Sequence, residues 1–197
     1  MGSDLCLPDK YWFRDPRGLS RPELEAYFEQ FMERRDLRIR HLHTIVTLSE
    51  PWEAALTAES VTALAEWFAP RVAVRPHTSN ELRELRKILP RGTDPEEWTL
   101  TDETFSTAFD IGTYFGETLR RNYPHLRWTQ FLNDRRFADY GLPVLVGFGR
   151  VPLNPQSIVT NFAWGIASHE GSPDRLSELY LYWAARAAGE LSSAPKH

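Results

Sequence analysis

The sequence predicts a predominantly helical α+β fold, a single domain carrying a small antiparallel β-sheet in its C-terminal half. Three observations point there. Apolar residues recur at helical spacing in stretch after stretch, each bounded by a capping residue, a proline or a glycine. Past Pro124 the texture changes to short apolar or alternating runs separated by turn-forming residues. The 197 residues, 42% hydrophobic and 13% aromatic with seven tryptophans, are enough for one ordinary core and marginal for two. No internal repeat, low-complexity block or linker divides the chain. The domain is therefore placed at 20–191, with an N-terminal extension over 1–19 that is free to be mobile and a frayed tail over 192–197.

The elements follow in order. "LSRPELEAYFEQFMERR" opens on Ser20, with Pro22 in the first turn and Glu23 three residues on, a capping-box pattern. Leu24, Tyr27, Phe28, Phe31 and Met32 then form one stripe of a helix that starts at about Arg21. "DLRIRHLHTIVTL" fits a helix through Leu37, Ile39, Leu42, Ile45 and Val46, although "LRIRHLHT" also alternates like a strand; helix is the reading adopted. "LTAESVTALAEWFAPRV" has Thr57 as cap, an apolar face of Val61, Leu64, Ala65 and Phe68, and Pro70 as stop. "TSNELRELRKILPRG" repeats that grammar with Ser79 as cap, Leu82, Leu85 and Leu89 as stripe, and Pro90 with Gly92 as the end.

A long helix is expected to begin near Thr101 and to stop before Pro124, with acids in its first turn and Arg120 and Arg121 in its last. Roughly 20 residues make a rod of about 30 Å. "LRWTQF" and "LPVLVGFG" read as the strands of the small sheet, joined through "LNDRRFADYG". Asn154 with Pro155 opens one further helix, and Ser172 with Pro173 opens the last.

Charge and cysteine usage narrow the function classes. A formal net charge of -4 and a pI near 5.9 provide no basic field for a polyanion, so nucleic acid is not an expected partner. The single cysteine, Cys6, fits a reducing cytosol and implies no redox chemistry, and no run of about 18 apolar residues offers a membrane span. A cytoplasmic protein is expected, with no membrane association and neither cofactor nor metal.

Chemistry could hide in the long helix. Gly112 and Gly116, four apart, each cost the helix roughly 0.5 to 1 kcal/mol relative to alanine, which makes sense where another backbone comes close. Asp110, Thr113, Glu117 and Arg121 form a polar strip beside them. With Tyr114, Asp110 and Glu117 are the candidates for acid–base or ligand work; the simpler alternative pairs Glu117 with Arg121 and leaves Asp110 exposed or bonded to a neighbouring backbone. Elsewhere catalytic grammar is missing. No G-x-S-x-G, P-loop or dinucleotide fingerprint occurs, and His41 and His43 have no acid or cysteine at ligand spacing. Arg34, Arg35, Arg38 and Arg40 read as a solvated helix face more readily than as a phosphate grip. The run at 94–103, with Asp94, Glu96, Glu97, Trp98, Asp102 and Glu103, has no base in it and suits a basic protein partner, although some of its acids are simply good helix N-terminus residues.

Taken in order, "ESVTALAEWF", "DIGTYFGETLRRNYPHLRW", "PVLVGF", "LNPQSIV" and "DRLSELYLYW" resemble a bacterial family, largely actinobacterial and firmicute, of stand-alone proteins of about this length. Its most specific element is a central Tyr-x-Gly-Glu helix motif, here Tyr114 to Glu117, followed by Asn122, Tyr123, Pro124 and Trp128. The resemblance implies a shared fold and brings no activity. The first 20 residues and "TQFLNDRRFADYG" depart from the pattern.

The reading that follows is a non-enzymatic cytosolic domain that binds another protein, in a toxin-neutralising or regulatory role. The alternatives are an enzyme or small-ligand binder built on Asp110, Tyr114 and Glu117, with Arg121 or Trp128 at the pocket edge, and a structural homo-oligomer.

Overall fold

The computed structural model describes residues 16–90 and 93–190. Cys6, the stop at Gly92 and the tail 192–197 lie outside the described residues. Six α-helices appear among them: α1 (Arg21–Thr47), α2 (Ala58–Phe68), α3 (Ser79–Ile88), α4 (Asp102–Asn122), α5 (Pro155–Ala167) and α6 (Asp174–Ala188). Four short strands, β1 (Val74–Pro76), β2 (Trp98–Leu100), β3 (Arg127–Gln130) and β4 (Pro143–Val146), pair antiparallel as β1–β2 and β3–β4.

The centre of the fold is α4, on which α1, α2, α5 and α6 all pack. Every residue from Ala108 to Leu119 is buried. A helix buried all round cannot show the one-sided stripe of a surface helix. That is why apolar Ile111, Phe115 and Leu119 alternate with small and polar residues that need specific partners.

Several elements sharpen or correct the sequence reading. The ambiguous "DLRIRHLHTIVTL" continues the first helix without a break, so α1 runs 27 residues and about 40 Å. Helical spacing prevails over the strand-like alternation because Arg38 and Leu42, four apart, are both buried. The cap of α3 is Thr78 rather than Ser79: its hydroxyl accepts from the Glu81 N–H at 3.2 Å while the Glu81 carboxylate accepts from the Thr78 N–H at 2.7 Å. The last helix begins at Asp174, one residue after Pro173.

The β1–β2 ribbon was not anticipated; three-residue strands such as "VRP" and "WTL" are too short to show a period. Its register sets Val74 opposite Leu100 and Pro76 opposite Trp98. In the expected sheet Trp128 lies opposite Leu145, and Leu145 also bridges to Leu153 at the entry to α5.

Of the N-terminal extension, residues 16–19 are docked. Pro16–Gly18 form a 3-10 turn, Leu19 is buried with Leu24 and Tyr140, and Arg17 donates to the carbonyls of Arg135 and Phe137.

Candidate functional site

The carboxylates of the α4 strip meet arginines from α1. Asp110 and Glu117 are seven residues apart, so they share a face about 10 Å along the helix. Arg38 of α1 donates through Nε to Asp110 Oδ1 and through Nη2 to Ser106 Oγ at 3.2 Å. Arg35 donates to Glu117 Oε1 at 2.5 Å. The earlier arginine meets the later carboxylate, so the two helices run in opposite senses at this contact. Arg35 and Arg38 are therefore not a solvated face, as the sequence suggested, but the counterions of buried acids.

Glu117 is a junction. Besides Arg35, it accepts from Arg120 Nε and Nη2 at 2.9 and 2.7 Å and from the Trp128 indole Nε1 at 2.6 Å. The expected partner Arg121 is exposed, because the i+3 arginine reaches a carboxylate that leans inward while the i+4 arginine faces out. The indole reaches Glu117 only because Gly116 is flat: a Cβ there would stand 2.5 Å from Trp128 Cζ2. Gly112 lets the start of α5 approach as backbone, since its Cβ would stand 2.7 Å from Gln156 Cα and 2.9 Å from the Pro155 carbonyl oxygen.

Burial pushes the Glu117 carboxyl up. The hydrogen bonds from Arg120 and Trp128 and the charges of Arg35 and Arg120 outweigh that, leaving it below the ordinary glutamate range. An ionised, triply partnered carboxylate is not a proton-transfer group.

Tyr114 is likewise committed. Its hydroxyl accepts from the Leu56 N–H at 2.8 Å and shares a 2.6 Å hydrogen bond with Ser60 Oγ, while Asn122 Nδ2 donates to the Leu56 carbonyl at 2.9 Å. Leu56 has φ of +54°, a left-handed conformation that a β-carbon disfavours. Tyr114 and Asn122 hold that turn. Asp110, Tyr114 and Glu117 therefore do not converge on one site: each side chain goes to a different structural partner.

Asp110 differs from Glu117 in facing a groove. Its Oδ2 lies 3.4 Å from His41 Nδ1, a residue for which spacing along the chain offered no acid. The acid is 69 residues away and arrives only when α1 lies on α4. Burial raises the Asp110 carboxyl above its ordinary range, with His41 and Arg38 opposing. The groove, about 500 Å³, lies between α1, the end of α2 and the first half of α4, with Ile45 and Phe68 among its apolar lining and His41, Arg71, Glu103, Thr107 and Asp110 among its polar lining.

The predicted partner-binding run has a different fate. Asp94, Glu96, Glu97, Asp102 and Glu103 are all exposed. Asp102 lies 3.8 Å from Arg75; the other four make no ion pair with the described residues. Trp98 is half-buried, its ring 5.0 Å from that of Trp164 on α5, so it anchors β2 and offers only its remaining edge.

No group of three or more histidine, cysteine, aspartate or glutamate side chains poised for a metal occurs among the described residues, and none of their helices is long and apolar enough to cross a membrane. The chain matches no family model, no curated protein and no solved structure.

Proposed function

We propose that the chain is a non-enzymatic, cytoplasmic protein-binding domain whose exposed acidic edge, 94–103, meets a basic partner in a toxin-neutralising or regulatory role. One contrast carries the reading. The buried acids Asp110 and Glu117 are matched by basic side chains from α1 and from α4 itself, whereas Asp94, Glu96, Glu97 and Glu103 stand in solvent with no ion pair to the described residues. Unpaired surface carboxylates of one sign steer a basic partner and fix its register more than they add raw affinity. The Tyr-x-Gly-Glu motif adds no chemistry: Tyr114, Gly116 and Glu117 are occupied by the Leu56 turn, Trp128 and the arginines. The family resemblance is proposed in the same terms, as a shared scaffold.

The test is affinity capture from the native host with crosslinking, followed by calorimetry on any stoichiometric partner. Replacing Asp94, Glu96 and Glu97 together by lysine is expected to weaken that partner about ten-fold or more, and rising salt to slow association. If the partner is toxic to cells, co-expression of the wild-type chain, and not of the triple variant, restores growth. Recovery of no stoichiometric partner, or a partner indifferent to the three lysines, overturns the reading.

A further inference from the structure

We propose that the half-buried Trp98–Trp164 pair is the anchor of the acidic edge, and that it seats an arginine side chain of the basic partner. The anchor rests on the reading of 94–103 as a docking edge, and it names the side chain that this edge selects.

Three tryptophans commit their indole N–H inside the fold: Trp52 donates to the Ser60 carbonyl at 3.1 Å, Trp67 to Ser49 Oγ at 2.9 Å and Trp128 to Glu117 at 2.6 Å. Two rings already carry a guanidinium, Trp67 that of Arg71 at 4.7 Å and buried Trp183 that of Arg186 at 5.6 Å. Trp98 and Trp164 have neither: among the described residues they donate to no acceptor and lie under no cation. Neither nitrogen is a buried atom lacking a partner, so both N–H groups reach solvent. A partly exposed indole with an unspent donor is suited to an interface.

The two rings stack at 5.0 Å with 35° between their planes, and Phe105 stands edge-on to Trp164 at 6.4 Å. Exposed Pro76 lies opposite Trp98 in the β1–β2 register, on the same face of the ribbon. Carboxylates flank this surface. Glu97 and Glu96 are one and two residues from Trp98, within about 8 Å along the chain. Both are exposed, with no ion pair to the described residues. Asp102, one turn before Phe105, closes the other side but has Arg75 Nη2 3.8 Å away. Arg75 itself donates to both Glu81 oxygens, and α5 brings no charged side chain, so the uncompensated charge stands at Glu96 and Glu97. A guanidinium suits this setting better than an ammonium. It is flat and weakly hydrated, so it can lie on an indole while its N–H groups reach carboxylates at the rim, whereas an ammonium answers mainly to the charge.

The probe is acetyl-Gly-Arg-Gly-Arg-Gly-amide, titrated into the isotope-labelled full chain with the indole N–H signals followed by NMR. Trp98→Phe and Trp164→Phe, each of which keeps a ring in place, assign the two signals by their loss. Both signals are expected to shift saturably at millimolar concentration. The lysine counterpart should bind about three-fold more weakly or worse, and the citrulline counterpart, of the same shape without the charge, should not bind. Replacing Glu96 and Glu97 together by glutamine should leave thermal unfolding unchanged and weaken the arginine peptide about five-fold. Unmoved Trp98 and Trp164 signals overturn the proposal. So does equal or tighter binding of the lysine peptide, or an arginine-peptide affinity that the two glutamines do not change. The titration needs no natural partner, so such a failure removes the anchor while capture from the host still decides the docking edge. Peptide binding as expected, with no partner recovered from the host, overturns the protein-binding reading and leaves the arginine seat standing.

Discussion

Glu117 shows how one side chain can look catalytic in a sequence and be structural in the fold. A carboxylate inside a glycine-bearing helix has the look of a site, yet three donors and a flat Gly116 turn it into a fastening for α1 and β3. The consequence is a defined pH signature. Because the folded pKa lies below the unfolded value, Glu117 contributes stability that is fully present above the ordinary glutamate range and is lost as pH falls through its lowered folded value. Glu117→Gln keeps the shape but leaves Arg35 and Arg120 without their counter-charge. Near neutral pH it should cost about 2 to 4 kcal/mol of unfolding free energy. The difference from wild type should shrink as pH falls below the ordinary glutamate range and vanish below the lowered folded value, where the wild-type carboxyl itself becomes neutral. Urea unfolding at a series of pH values checks this; a cost that stays constant through the acid range would show that Glu117 acts by packing alone. Asp110 works in the opposite sense. Its pKa is raised, so its ionised form opposes folding as pH rises through that value, which marks it as a group held in place by Arg38 and His41 rather than one holding the fold.

Among elements, the approach of α5 to α4 decides where glycine is required and where it is incidental. A Cβ at Gly112 would meet Gln156 Cα and the Pro155 carbonyl, both backbone at the first turn of a helix capped by Asn154, and backbone there cannot step aside cheaply. A Cβ at Gly165, on α5 itself, would meet nothing closer than Gly171 Cα at 3.7 Å, an ordinary contact. Alanine improves helix propensity by about 1 kcal/mol at either place, whereas overpacking against fixed atoms costs about 1 to 3 kcal/mol or more. Gly165→Ala should therefore stabilise by about 0.5 to 1 kcal/mol and Gly112→Ala destabilise by about 1 to 2 kcal/mol, opposite signs for the same chemical change. Thermal or urea unfolding of the two variants side by side tests the contrast; equal signs would mean that α5 can slide on α4.

The same pair of helices shows what a sequence discloses. Gly112 and Gly116 mark within α4 that something comes close, and Asn154 with Pro155 marks the start of α5, but nothing local says that these two places meet. The Arg38–Asp110 and His41–Asp110 contacts were hidden for the same reason. Each joins residues about 70 apart, and the acid lay in a helix read without its partner. Helices, caps and the β3–β4 pair were legible because their signals are short-range; β1–β2 was not, because three residues carry no period.

At the scale of the whole molecule, the arrangement around one buried helix implies an uneven distribution of stability. Ala108 to Leu119 are surrounded by α1, α2, α5 and α6, so their amides cannot reach water unless those helices leave. By contrast none of the described side chains of α3, over Ser79 to Lys87, belongs to either buried cluster. Its Leu82 and Leu85 are only half-buried, and it is fixed at its start by the Thr78–Glu81 capping box and by Arg75, which donates to both Glu81 oxygens at 2.9 and 2.7 Å. The capping bonds are exposed to solvent and the Arg75–Glu81 pair is only partly buried, and an ion pair near the surface contributes about 1 kcal/mol or less. A ten-residue helix has little stability of its own in water. Opening α3 thus forfeits little buried area, whereas exposing the middle of α4 forfeits the core. Native-state hydrogen exchange should show residues 79–88 exchanging by local opening, several kcal/mol below the global unfolding free energy. Residues 108–119 should exchange only with global unfolding. Added denaturant should accelerate the second segment steeply and the first hardly at all, because local opening exposes little new surface. Equal protection and equal denaturant dependence in the two segments would place α3 within the cooperative core and refute the picture of a rigid centre with a loosely attached helix.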